Sequence, residues 1–175
     1  MARQRSLHIL DDVAGRRDAL LARLAAQPAA SLTHKDPPDG WSPLEIVEHL
    51  VLAERSVFRD LDALADLEEA PQRLRGRLLR LLVVVILRGP FRVRVPTRSM
   101  VPSGSWSLEE CGLEWRRNHA RLRAYAESLP EAGFQRAIFA HPVSGPLTVS
   151  QAIHLMSVHL GTHERQLDRV LEESR

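Results

Sequence analysis

One cysteine, one lysine and few aromatic residues set this 175-residue sequence apart more than anything it has in abundance. Cys111 has no second thiol to pair with, which excludes an intramolecular disulfide framework and suits a reducing cytosol. Aromatic side chains are 5% of residues, too few for a platform on which single-stranded nucleic acid could stack. Net charge is nearly absent as well: 24 basic against 22 acidic residues leave +2, which is not the balance of a nucleic-acid binder. Almost all the positive charge is arginine, Lys35 being the one lysine. Long apolar runs are missing too. The most hydrophobic stretch, Leu78 to Leu87, contains Arg80 and falls far short of the ~20 residues that a spanning helix needs. Near the start, Asp11 and Asp12 interrupt the chain before a signal-peptide core can form. The expectation is a cytoplasmic protein without a transmembrane segment.

What is present is helical periodicity. A chain of this length, 44% hydrophobic, can form one domain over residues 1–175 that buries roughly 70% of its unfolded surface without disulfides or a structural metal. From Ser6 to Gln27, Leu7, Leu10, Ala14, Leu21 and Leu24 recur at helical spacing until Pro28. A loop from Ala29 to Gly40 follows. Ser42 with Glu45 forms a Ser-x-x-Glu capping box behind Trp41, with Pro43 at the first helical position. The stripe after it, Ile46, Leu50, Ala53, Val57, Leu61 and Leu64, runs to Pro71. A third helix starts at the Ser107/Glu110 box and carries Leu108, Cys111, Trp115, Leu122 and Leu129 up to Pro130. A fourth starts at Thr148/Gln151 and carries Val149, Ala152, Met156, Leu160, Leu167 and Val170. Four such helices make an all-α bundle. Residues 71–105 read as an irregular insert between helices two and three, with FRVRVP as a short extended segment. Eight arginines from Arg73 to Arg98, with no acidic residue among them, fit an anionic ligand, a membrane surface, a dimer partner, or simply a partly buried helix whose arginines snorkel to water.

On the fourth helix His159 and His163 lie about 40° apart on the apolar stripe, while His154 falls about 140° from His159 on the outer face. An i, i+4 pair of imidazoles can converge on one ion, and burying two polar rings on an apolar face needs something to satisfy them. His49, about two turns into helix two, is a candidate third ligand. Three histidines would leave one coordination position open, as catalytic zinc sites do. The residues alone leave a second reading open: core-edge histidines bonded to backbone or water.

Three segments, WSPLEIVEHL at 41–50, HPVSGPLTVSQ at 141–151 and HLGTHERQL at 159–167, resemble the DinB-like superfamily in the branch of bacillithiol- and mycothiol-dependent transferases. The resemblance covers most of the chain and is poorest over 71–105. It implies a four-helix bundle, commonly a homodimer, with a divalent metal held by His49, His159 and His163. Zinc is the first expectation for that ion, with nickel, manganese or iron as others. It also implies a low-molecular-weight thiol, transferred to a small electrophile. A metal-dependent hydrolase and a non-catalytic, stress-related binding bundle are the alternatives.

Two neighbours are candidates for a supporting role. Gln166, one turn past His163, either bonds a ligand ring or a metal-bound water, or is a polar residue at the bundle mouth. Glu45, one turn before His49, either orients that ring or acts as a base, or serves only its cap. Asn118 and His119 read as an interfacial polar pair or a substrate contact, His141 as the opening of a turn, and Cys111 as a small core residue.

Overall fold

Each amphipathic stretch needs apolar partners, and the computed structural model shows which ones it finds. It describes residues 1–35, 37–58, 82–85, 97–141 and 145–173. Helix α1 spans Ala2–Ala25, the short α2 Ala29–Thr33, α3 Pro43–Phe58, α4 Leu108–Ser128 and α5 Val149–Glu173. Helices α1 and α3 each pack against both α4 and α5, so α1 faces α3 across the core and α4 faces α5. This is the expected four-helix bundle. Among the described residues no helix is long and apolar enough to cross a membrane.

All three capping boxes form. The Ser42 hydroxyl accepts from the Glu45 N–H at 3.3 Å while the Glu45 carboxylate accepts from the Ser42 N–H at 2.8 Å. At α4 the corresponding distances are 3.1 and 2.7 Å, and at α5 they are 3.2 and 3.1 Å. A cap of this kind contributes about 1 kcal/mol by satisfying N–H groups that a helix start leaves orphaned. It also fixes where α3 and α5 begin, and so the direction in which their histidines point.

The core has two parts. Val13, Leu24, Ile46, Leu50, Trp115, Leu160 and Leu167 form one cluster, with Trp41 packed against it. Leu10, Phe58, Leu122, Phe134, Phe139 and Leu147 belong to the other. Truncating a fully buried anchor such as Trp115 is expected to cost about 3–5 kcal/mol.

The structure departs from the sequence reading in detail. Helix α1 starts at Ala2 rather than Ser6, and its buried stripe runs through Val13 and not Ala14, since Leu10, Val13, Arg17, Leu20 and Leu24 keep the three-four alternation. The loop expected at 29–40 contains α2. An antiparallel hairpin, β1 Ala137–His141 and β2 Gly145–Thr148, stands where only a turn was read. Strands this short carry little periodicity, and Gly145 supplies the positive φ of +74° beside the turn. The hairpin leads directly into α5 and packs on α3 and α5. Leu61, Leu64, the helix end at Pro71, the FRVRVP segment and the arginines from Arg73 to Arg94 lie outside the described residues.

Candidate metal centre

Helices α3 and α5 bring His49, His159 and His163 together, each offering one nitrogen to a group whose members all lie within 4.8 Å of one another. His49 and His163 are buried at 4% and 8% exposure, and His159 is partly buried. The His159 Nε2 approaches the Nε2 of His163 at 3.0 Å and that of His49 at 3.4 Å. Trp41 covers the His49 ring at a centroid distance of 4.7 Å.

The outer nitrogens decide which way the lone pairs face. The Nδ1–H of His49 donates to the Met100 carbonyl at 2.7 Å, and the Nδ1–H of His163 donates to the Gln166 amide oxygen at 2.8 Å. Both acceptors lack a proton to give, so the network assigns the proton to Nδ1 in each ring and leaves both Nε2 atoms as bare acceptors pointing inward. Both face the Nε2 of His159, whose neutral ring has a single proton to share between two buried acceptors.

Their protonation does not relieve this. Burial holds His49 below the ordinary histidine range, against the pull of the Met100 carbonyl. Burial and the charges of His163, His49 and His141 hold His159 well below it. Burial and the charge of His49 bring His163 down to about 4. All three rings are therefore neutral at pH 7, the form in which imidazole ligates metals.

A divalent ion fits this arrangement. Two nitrogens at 2.0–2.1 Å from a tetrahedral zinc sit roughly 3.3 Å apart, close to the 3.0 and 3.4 Å found here. Among the described residues no carboxylate or thiolate joins the group, and three ligands of a tetrahedral ion would leave a fourth position for a small molecule.

The remaining candidates separate. Gln166 does contact a ring of the cluster. Glu45 is occupied by its cap and by Lys35, whose ammonium donates to it at 2.7 Å. Burial pushes its carboxyl up, but Lys35 and the Ser42 N–H outweigh that and hold it below the usual range, so it is a poor base. His154, expected on the solvated face, is partly buried. Asn118 donates to the Val51 carbonyl at 3.4 Å, the interfacial role foreseen for it. Cys111 is fully buried, and burial together with the charges of Glu48 and Glu110 pushes its thiol up to about 12, so it stays an unreactive core residue.

Sequence reasoning missed two contributors. The Met100 carbonyl has no residue-type signature, because every residue carries one. His141 reads as a turn residue, yet it ends β1, and its charged form opposes protonation of His159.

Among curated proteins and among solved structures no match is found. A family model for the DinB superfamily matches residues 13–167, a span that reaches into all four long helices and includes every residue of the histidine cluster. The chain belongs to the DinB superfamily.

Proposed function

We propose that this protein is a metal-dependent enzyme that joins a low-molecular-weight thiol to a small electrophile, with His49, His159 and His163 as the ligands of a divalent ion, zinc first among the candidates. One observation carries the reading: three neutral imidazoles converge through Nε2 while fixed acceptors hold the outer N–H of two of them. Held by these three residues, a divalent ion would supply Lewis acidity and so lower the pKa of a thiol. The chain's own part is to hold three ligands neutral and aligned, and Trp41 shields one face of the His49 ring. The thiol itself is supported by the resemblance of the three sequence segments to thiol-dependent transferases. The reading includes a homodimer in the cytoplasm.

The test starts with elemental analysis of untagged protein purified without chelators, wild type against the His159→Ala/His163→Ala double variant. Near-stoichiometric metal in the wild type, lost in a folded variant, is the expected result, followed by loss of an electrophile only when metal and thiol are both present. Metal-dependent turnover without thiol would replace the transferase with a hydrolase. Bound metal without any turnover would leave a binding bundle. A metal-free wild type that also takes up no added zinc, nickel or manganese overturns the proposal.

A further inference from the structure

Glu48, immediately before His49 on α3, is 1% exposed. A buried carboxylate needs donors, and this one takes all of its described hydrogen bonds from one dipeptide. The N–H and the hydroxyl of Ser103 donate to Oε1 at 2.8 and 2.7 Å, and the Gly104 N–H donates to Oε2 at 2.9 Å. Three residues earlier in the same segment, the Met100 carbonyl accepts the His49 Nδ1–H. The strap from Met100 to Gly104 is thus pinned to α3 twice, by two consecutive residues of the helix. Gly104 has a φ of +72°, a conformation that other side chains rarely adopt, and a Cβ there would lie 3.2 Å from Glu45 Oε1, a contact that a small shift of the Glu45 side chain relieves.

The two pins differ in strength. Hydrogen bonds to a charged acceptor are worth roughly twice those between neutral groups, and Glu48 collects three against the single one at Met100. The Glu48 pin therefore sets where the strap lies, and the Met100 carbonyl is carried to its place beside the His49 ring. That carbonyl in turn decides which nitrogen of His49 keeps its proton. With the strap released, the Met100 peptide is free to turn to water, and His49 to place its proton on Nε2, where it blocks a ligand lone pair.

We propose that Glu48 is a positioning residue for the histidine cluster: through the Ser103–Gly104 pin it holds the Met100 carbonyl that keeps the His49 Nε2 lone pair directed at His159 and His163. The inference rests on the metal-site reading for its consequence but not for its structural content. It adds a residue with no contact to the ligand atoms, recruited from a side of α3 on which an acidic residue reads as ordinary helix surface.

The experiment has two readouts on wild type, Glu48→Gln and Ser103→Ala. Nitrogen-15 chemical shifts of the His49 ring in metal-free protein report its tautomer, and competition with a chromophoric chelator reports the affinity for zinc. Wild type is expected as the Nδ1–H tautomer. Glu48→Gln presents an amide N–H₂ to a donor, so a mixed tautomer and zinc binding weaker by about 10–100-fold are expected. Ser103→Ala removes one of the three bonds from an exposed residue and is expected to fall between the two. A folded Glu48→Gln with wild-type tautomer and affinity overturns the proposal. Should Glu48→Gln fail to fold, Ser103→Ala decides it, since unchanged values for both readouts in that variant overturn it equally. A wild type that binds no zinc removes the metal reading alone, because the tautomer comparison still upholds or overturns the role of Glu48.

Discussion

Helix α3 buries polar groups on two sides, and the two sides are built for different guests. Toward α5, His49 joins a cluster of three nitrogens with its outer proton fixed on a carbonyl. About 140° around the same helix, Glu54 is buried at 6% exposure toward α4, where its Oε2 accepts the Trp115 indole N–H at 2.7 Å. Its Oε1 faces the Nδ1 of His119 at 4.0 Å, and neither atom has a hydrogen-bond partner. Burial raises the Glu54 carboxyl to about 7, and burial with the charges of Arg17 and Arg123 lowers His119 to about 4. At Glu54 two facing acceptors have no proton between them, whereas in the cluster the bare Nε2 atoms of His49 and His163 both face the Nε2 of His159, whose ring has one proton to give. Three convergent imidazole nitrogens match a divalent cation, while the two facing acceptors are satisfied by a single proton between them. Polarity in a helical core is thus informative only once the direction of each donor and acceptor is known.

The largest effect that separates the two sides is linkage to metal. Zinc at a thousandfold excess over its dissociation constant stabilises a one-site protein by about 4 kcal/mol, which for a chain of this size raises Tm by roughly 10 °C. Wild type is expected to show that rise in scanning calorimetry and His163→Ala to lose it. Glu54→Gln should keep it in full, and a Glu54→Gln protein blind to zinc would mean that the two polar sites are one.

A smaller effect marks the other side through pH. Glu54 has a folded pKa raised above the ordinary 4.5 of a glutamate to about 7, so its favourable contribution is complete below 4.5 and is lost as pH rises to 7. The lowered histidines act in the opposite sense, since they take up protons more readily unfolded and cost stability as pH falls below 6.5. The unfolded chain still holds histidine protons up to about pH 7.5, so wild type and Glu54→Gln share that rise and the difference between them isolates the carboxyl. Metal-free wild type is therefore expected to lose roughly 1 kcal/mol relative to Glu54→Gln between pH 6.5 and 8 in urea unfolding, because in the variant the amide N–H₂ stands where the proton would be. Parallel profiles in the two proteins would break the assignment to Glu54.

How far these features could be read in advance follows from the same distinction. The helix starts were legible because capping boxes are local: Ser42 with Glu45, Ser107 with Glu110 and Thr148 with Gln151 each lie within one turn. His159 and His163 were legible for the same reason, while His49 could be named from its place on helix two only as a candidate, which the resemblance supported and the fold brings to the pair. What stayed hidden is carried by contacts distant in sequence. The Glu48 pin spans 55 residues and the Met100 carbonyl 51, and Glu54 finds Trp115 across 61. The hairpin was missed because β1 has only 5 residues and β2 only 4, too few for alternation to stand out.

The finest division falls between Gln166 and Glu45, the two polar residues that the sequence offered for a supporting role. Gln166 accepts from a ring of the cluster and touches nothing in a helix start, so its loss should appear in metal affinity. The residue is partly buried, which lets water replace the lost acceptor, and Gln166→Ala is expected at the mild end, a zinc affinity lowered about tenfold with little change in metal-free stability. Glu45 bonds the Ser42 N–H and Lys35, so Glu45→Ala should cost about 1 kcal/mol of stability in the metal-free protein. Its zinc affinity should remain that of wild type, unless the Glu45 side chain supports the strap at Gly104 by contact. The chelator competition distinguishes these directly. Equal losses of affinity in both variants would place the cap within the metal centre, and loss in Gln166→Ala alone would confine the centre to side chains that face the three nitrogens.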